Sequence, residues 1–265
     1  MENFISSKTN KNIKYAKKLL SMPKFRKQEG KFIIEGVRLC EEALKNSVDI
    51  TMLFYTKKLK ERFSDLISNM SFKSHEHFVI SEELAEFISD TDTPQGVFCV
   101  CKKISTDNKD FKNIDKCVLL ENIQNPSNLG SILRSCDALG VKKVVISSNS
   151  CDLFSPKVLR GSMGAAFRLN LIETENMEEF IKNLKSNGVE VYAAVPSGDA
   201  LQIGDIEFKN KCAIALGNEG NGLTQNVINA CDFKMTIPMN ELSESLNVSV
   251  AAGISIWEMM HRGKI

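Results

Sequence analysis

Three short stretches hold side chains whose types and spacing could hold and orient a ligand. "NPSNLGSILRS" (125–135) places Asn128 at the mouth of a helix and Arg134 further along it. "LGNEGNGL" (216–223) sets Glu219 among Gly217, Gly220 and Gly222, next to Leu216 and Asn218. "SLNVSVAAG" (245–253) opens a long helix with Ser245, Leu246 and Asn247. The glycines permit positive φ and a close backbone approach to a ligand. Their spacing, G-x-x-G-x-G, is neither a P-loop nor a dinucleotide turn. A carboxylate inside such a loop repels phosphate and tolerates a cation. Asn, Arg, Glu, Ser and Asn together supply neither a histidine–nucleophile pair nor a metal set, which argues against hydrolysis by either device. They suit a transfer in which the donor is already activated and the site need only orient the acceptor. Singly, each has a plainer reading: Asn128 as a helix cap, Arg134 as a surface cation, the glycines as ordinary loop residues, Ser245 and Asn247 as caps.

These stretches need elements to carry them. "CVLLEN" (117–122) and "VKKVVIS" (141–147) flank the first as strands, which makes a βαβ unit with its ligand loop after the first strand. Further strands are expected at 143–147, 190–195, 212–216 and 234–237 after the first at 117–121. Helices are expected near 128–139, 155–162, 176–187, 224–230 and 246–262. This alternation predicts a parallel sheet covered on both faces, with ligand loops at the strands' carboxyl ends. The helix from 246 carries Val250, Ile254, Trp257, Met259 and Met260, a stripe wider than one core face needs, which suggests a subunit interface.

The amino-terminal part reads as a smaller α/β domain over 1–104. Its elements are a helix "KNIKYAKKLLS" (11–21), a strand "KFIIEG" (31–36), a helix "VRLCEEALKN", a strand "ITMLFYT", a helix around 57–69, and strands in "HFVIS" and "GVFCVCK". "STDNKDFKN" (105–113) is polar and without periodicity, a linker to a second domain at 114–265. The chain has 265 residues and a net charge of only +1, but residues 1–31 hold nine basic against two acidic side chains. That arm suggests a polyanionic partner, with a solvated helix face as the bland alternative. Lys11, Lys14, Lys17, Lys18 and Arg26 are the candidate contacts. At 43% apolar and 25% charged, the composition is that of a globular protein, and no run is long enough to span a membrane. The eight scattered cysteines and the lack of an apolar leader core point to reduced thiols and a cytoplasmic location. No metal site is expected, because His75, His77 and His261 lack ligand-like companions.

Taken jointly and in order, "NPSNLGSILRS", "LGNEGNGL" and "IPM…ESLNVSVAAG" resemble the three motifs of the SpoU (TrmH-like) branch of the SPOUT RNA methyltransferases. The resemblance covers about 115–263. "FIIEGVRLCEEAL" and "TDTPQGVFCV" resemble that family's amino-terminal substrate-binding domain, which is similar to a ribosomal-protein fold. The resemblance implies a trefoil-knotted, parallel-sheet α/β domain behind a smaller RNA-binding domain, a homodimer, and transfer of methyl from S-adenosylmethionine to a ribose 2′-hydroxyl. It places Asn128, Arg134, Glu219, Ser245 and Asn247 in the catalytic set. It places the cofactor against Ala194, Val195, Leu216, Gly217, Asn218, Gly220, Ile237, Met239 and Leu246. Arg134 keeps its proton at neutral pH, so holding the phosphate beside the target ribose suits it; proton removal stays open. Ribosomal RNA is favoured over tRNA. A non-catalytic RNA-binding protein of the same fold is the main rival, and a dehydrogenase lacks its glycine turn.

Overall fold

The computed structural model describes residues 3–105, 114–240 and 245–261. Most of the expected linker, 106–113, lies outside them. By contacts the chain divides into one unit of Met1–Ile104 with Phe154–Phe167, and another of Ser105–Leu153 with Arg168–Ile265. The segment Phe154–Phe167, expected with the carboxyl-terminal domain, therefore groups with the amino-terminal unit. Phe154 and Phe167 stack on Phe32, which is fully buried.

In chain order the amino-terminal unit holds β1 (Phe4–Ile5), α1 (Lys11–Ser21), α2 (Pro23–Glu29), β2 (Lys31–Glu35), α3 (Val37–Lys45) and β3 (Ile50–Thr56). Then come α4 (Lys57–Arg62), α5 (Ser64–Lys73), β4 (Glu76–Ile80), α6 (Glu82–Ile88) and β5 (Val97–Lys102). The expected single helix near 57–69 is two helices, broken at Phe63, whose ψ of 50° is not helical. The five strands run in the order β1-β4-β3-β5-β2, with β5 antiparallel to both neighbours. The other four strands thus point one way. Helix α1 forms as its periodicity demands, burying Ile13, Ala16, Leu19 and Leu20.

Two of the basic residues expected to touch RNA have structural work within the unit. Arg26 is only 5% exposed, and its Nη1 donates to Leu19 O (2.6 Å) and Leu20 O (2.9 Å), satisfying the carbonyls that end α1. Lys17 donates to Ile88 O (3.3 Å) and Ser89 O (3.2 Å) at the end of α6. Lys11, Lys14 and Lys18 remain on the exposed face.

The carboxyl-terminal unit contains β6 (Lys116–Leu120), α7 (Pro126–Leu139), β7 (Lys143–Ser147), β8 (Asn170–Thr174), α9 (Met177–Ser186) and β9 (Glu190–Ala194). It continues with β10 (Leu201–Gln202), β11 (Cys212–Leu216), α10 (Gln225–Ala230), β12 (Phe233–Thr236) and α11 (Val248–His261). α8 (Pro156–Ser162) belongs to the segment that groups with the first unit. All seven strands are parallel, in the order β10-β12-β9-β11-β6-β7-β8. β8, an edge strand, has no counterpart among the expected elements: "NLIET" is short and mixed in polarity. The central strands β6, β9 and β11 read as near-continuous apolar runs because helices cover both faces. Val191, Ala193, Ala213, Ala215, Leu119 and Cys117 pack under α9 and α10 with Phe180, Ile181, Leu184 and Val227. All eight cysteines are free thiols. Among the described residues no helix is long and apolar enough to cross a membrane.

Candidate functional site

Because the sheet is parallel, the loops after β12, β9, β11 and β6 leave it at one edge, from four neighbouring strands. At about 4.8 Å per strand they span about 15 Å, the size of a nucleoside. Every cofactor-side residue expected from the sequence except Leu246 belongs to this edge. Ala194 and Val195 end β9, and Val195 N–H donates to Met235 O (2.9 Å). Ile237 and Met239 follow β12. Leu216 ends β11, and Gly217, Asn218 and Gly220 follow it. Leu246 precedes α11 and is exposed.

The loop after β11 is a tight hairpin. Asn218 and Gly222 exchange backbone hydrogen bonds of 3.0 and 2.9 Å. Asn218 Oδ1 accepts from the N–H of Gly220 (2.9 Å) and Asn221 (3.0 Å), and its Nδ2 donates to Asn122 O (2.9 Å). Gly217 lies beneath this turn: a Cβ there would stand 2.2 Å from Gly222 C and Leu223 N. Only glycine fits. Gly217→Ala is therefore expected to push the turn off the strand end and cost about 1–3 kcal/mol, as overpacking does. A thermal melt reads the loss; an unchanged midpoint would show that the loop yields without strain.

Glu219, at the tip of that hairpin, ties it to the loop after β6. Its Oε2 accepts from Gln124 N–H (3.2 Å), and its Oε1 from Asn125 N–H (3.1 Å) and Asn128 Nδ2 (3.0 Å). Asn247 Nδ2 in turn donates to Asn128 Oδ1 (3.2 Å). Asn247 caps α11, its Oδ1 accepting from Ser249 N–H (2.9 Å) and Ser249 Oγ (2.6 Å). Three of the expected catalytic residues, Asn128, Glu219 and Asn247, thus form one chain of hydrogen bonds. Burial alone would raise the Glu219 carboxyl; hydrogen bonds from Asn128 and from the backbone of Glu219, Asn125 and Gln124 outweigh it and hold the group below its ordinary range. The site therefore presents a fixed negative charge at neutral pH.

Asn128 is not the helix cap expected of it. α7 begins at Pro126 and is capped by Asn125, whose Oδ1 accepts from Ser127 N–H (2.9 Å). That frees the Asn128 amide to bridge Glu219 and Asn247 while 8% exposed. Nor does the chain bring Arg134 to this cluster. It lies on the exposed face of α7, about 9 Å further along the axis, and makes no ion pair or hydrogen bond with any described residue. Ser245 is exposed, likewise without a partner among the described residues.

Several contributors escaped the sequence reading. Asn122 adopts φ 55°, and its N–H donates to Ser147 Oγ (2.8 Å), fastening the loop after β6 to the end of β7. Glu121 is buried and accepts from Thr224 N–H and Oγ1, both at 2.8 Å, which anchors the far end of the glycine loop. An asparagine ahead of a helix turn is a weak hint of such a left-handed residue. Cys151 stands in the neighbouring loop; burial, then the Glu219 charge, push its thiol up to about 11, so it is no nucleophile at neutral pH.

The site fits a cofactor that carries a cation and a nucleoside. An ionised carboxylate sits among loop amides at the sheet edge, where Ile237 and Met239 are half-buried apolar residues. The comparisons agree with that chemistry. The family model described as "SpoU rRNA Methylase family" matches residues 115–257, and one described as "MRM3-like substrate binding domain" matches 10–99. A 23S rRNA (guanosine(2553)-2′-O)-methyltransferase, RlmP, of Bacillus subtilis is 32% identical over 96% of this chain and 98% of its own. An uncharacterized tRNA/rRNA methyltransferase of Synechocystis is 28% identical over 96% of this chain and 92% of its own. The crystal structure of an AdoMet-bound rRNA methyltransferase from Sinorhizobium meliloti superposes with a TM-score of 0.88 at 25% identity, covering 99% of this chain and 98% of that one.

Proposed function

The chain belongs to the SpoU rRNA methylase family, and on that premise we propose how its residues methylate RNA. It is an S-adenosylmethionine-dependent RNA 2′-O-ribose methyltransferase. Bound S-adenosylmethionine supplies a methyl group already activated on a sulfonium. What the protein adds is position and charge. Gly217, Asn218 and Gly220 hold the cofactor by backbone, with Ala194, Val195, Leu216, Ile237, Met239 and Leu246 around it. Glu219 offsets the sulfonium charge and keeps the loops after β6 and β11 in register. Asn128, Ser245 and Asn247 orient the ribose hydroxyl. Arg134 grips the adjoining phosphate in two-pronged fashion.

The observation that carries this reading is the hydrogen-bonded chain Glu219–Asn128–Asn247, which joins three loops at the carboxyl edge of a parallel sheet. The family's trefoil knot is part of the proposal. In its support, β11 lies between β9 and β6 although it follows both, and α11 returns to pack on α7. So is a homodimer through α11. Leu246, Val250, Ile254 and Trp257 recur at helical spacing, each more than a third exposed, while Val248, Ala252, Ser255, Ile256 and Met259 are buried beneath. Covering the exposed row would stabilise a dimer by on the order of 1 kcal/mol per half-buried side chain. In that dimer Arg134 of one protomer serves the acceptor side of the other. We take residues 1–104 as a ribosomal-protein-like RNA-binding domain, 114–265 as the transferase domain, and cytoplasmic ribosomal RNA as the substrate.

Methylation of total RNA from a deletion strain, with tritiated cofactor and fractionated into rRNA and tRNA, tests this; no transfer by folded, cofactor-bound protein would sink it. In the same assay Lys11, Lys14 and Lys18 replaced by alanine should weaken RNA binding and flatten its salt dependence by about 0.7–0.9 log unit per lost phosphate contact. Cofactor affinity should stay put. An unaltered salt slope would make these lysines a solvated face.

A further inference from the structure

β1, β2, β3 and β4 end at one edge of the amino-terminal sheet. At the end of β2 stands Glu35, 8% exposed. Its Oε1 accepts from Ser89 Oγ (2.7 Å) and Thr91 Oγ1 (2.9 Å). Its Oε2 is enclosed and has no hydrogen-bond partner among the described residues. A buried carboxylate oxygen without a donor is costly, and proteins seldom leave one idle. The loop that supplies both hydroxyls is held firmly: Lys17 binds its carbonyls, and Asp90 pairs with Arg160 through two contacts of 2.6 and 3.1 Å. Glu35 could therefore not be explained as slack.

Directly after Glu35, Gly36 turns with φ 94° into α3. The first turn of α3 holds no acidic residue. It holds Arg38 instead, exposed and without a partner among the described residues, although a cation at a helix start opposes the helix dipole. Val37 N–H is taken by Gln95 Oε1 (2.8 Å). The N–H groups of Arg38 and Leu39 find no acceptor among the described residues. Gln95 lies over this turn, its Oε1 3.1 Å from where a Gly36 Cβ would stand.

Two unmet demands thus stand three residues apart in the chain: a cationic helix start that wants an anion, and a carboxylate oxygen that wants an N–H donor. One nucleotide meets both. We propose that the turn Glu35–Gly36 with the start of α3 is a nucleotide-reading site for RNA, distinct from the methyl-transfer site. The phosphate rests on exposed Arg38 and the free N–H groups, whose positive charge offsets the repulsion from the buried Glu35 carboxylate. An amino-bearing base displaces the Gln95 side chain and donates to Glu35 Oε2. Uracil is disfavoured, because its one ring N–H is flanked by two carbonyls that would face the carboxylate. The inference rests on the RNA methyltransferase reading and extends it to how the first unit selects sequence.

The test is fluorescence anisotropy with short oligo(A), oligo(C) and oligo(U). The parent protein should bind oligo(A) and oligo(C) at least about tenfold more tightly than oligo(U). Glu35→Gln keeps an acceptor for Ser89 and Thr91 but turns Oε2 into a donor; it should bring the first two down to the oligo(U) level. Oligo(U) and cofactor binding should not move. Arg38→Ala should weaken all three and reduce the salt slope by about 0.7 log unit. A Glu35→Gln protein that still prefers oligo(A) and oligo(C) overturns the proposal and leaves Glu35 a latch for the loop 89–95. Should Glu35→Gln not fold, the parent's base preference and the Arg38→Ala slope decide, and the absence of either overturns it. Failure of the underlying reading is a separate result: the parent would then methylate no RNA at all.

Discussion

Arg134→Ala is expected to bind S-adenosylmethionine like the parent and to transfer methyl at least about 100-fold more slowly, a loss near 2.7 kcal/mol of transition-state stabilisation. The side chain lies on the exposed face of α7, so neither the core nor the cofactor loops depend on it. Lysine should rescue little, since a point charge does not reproduce a planar two-pronged hold on phosphate. The same exposed position sets a sharper test. Arg134 lies about 9 Å along α7 from Asn128, on its exposed face, and in the proposed homodimer it serves the other copy. Chains bearing Arg134→Ala and chains bearing Glu219→Gln, each nearly inactive alone, should recover about a quarter of parental activity when mixed, because half of randomly paired symmetric dimers then hold one intact site of two. No recovery, with mixed dimers verified by mass, would mean that Arg134 acts within its own chain. A parental rate for Arg134→Ala alone would make it a surface cation.

The helices and strands that position the site were legible because each obeys one period. α7 and α9 carry clear apolar faces, α11 is apolar nearly all round, and β6, β9 and β11 are near-continuous apolar runs, the mark of a sheet covered on both sides. β8 was not legible, since a five-residue edge strand reading NLIET has no period to detect. The cap of α7 was misread because both Asn125 and Asn128 are good capping residues, and what decides between them is Pro126, which fits the first helical position and moves the start back one turn. The consequence reaches the chemistry: an asparagine freed from capping can bridge two loops. The structural work of Arg26 and Lys17 was hidden for a related reason. Charge counts do not show which cations sit under a helix end, and both satisfy carbonyls there. Glu219 as a junction was invisible as well, because the donors it gathers come from 124, 125 and 128, nearly a hundred residues earlier.

That junction makes Glu219→Gln the most informative change at the cofactor side. The substitution alters no volume, yet three donors now face an amide with one acceptor oxygen. Either Gln124 N–H or the pair Asn125 N–H and Asn128 Nδ2 must meet an NH2 group, and each donor left unpaired costs about 1–3 kcal/mol. The loops after β6 and β11 should drift apart, and the chain to Asn247 with them. Methyl transfer is expected to fall by about 100-fold, at the upper part of that range, and cofactor affinity to fall with it, unlike the result for Arg134→Ala. The pH dependence separates charge from shape. The Glu219 carboxyl is held below its ordinary value of 4.5, so its contribution to stability is fully present above that value and is lost as pH falls through the lower, folded-state value. Between about pH 6 and 8 the group stays ionised, and the parent's rate should show no inflection from it. Below pH 4.5 the parent should lose thermal stability faster than Glu219→Gln, which has no such proton to gain. Calorimetry of cofactor binding, single-turnover methylation and melts across acid pH measure all three. Parental affinity and rate in Glu219→Gln would show that the carboxylate only decorates the loop and that the three-loop junction holds without it.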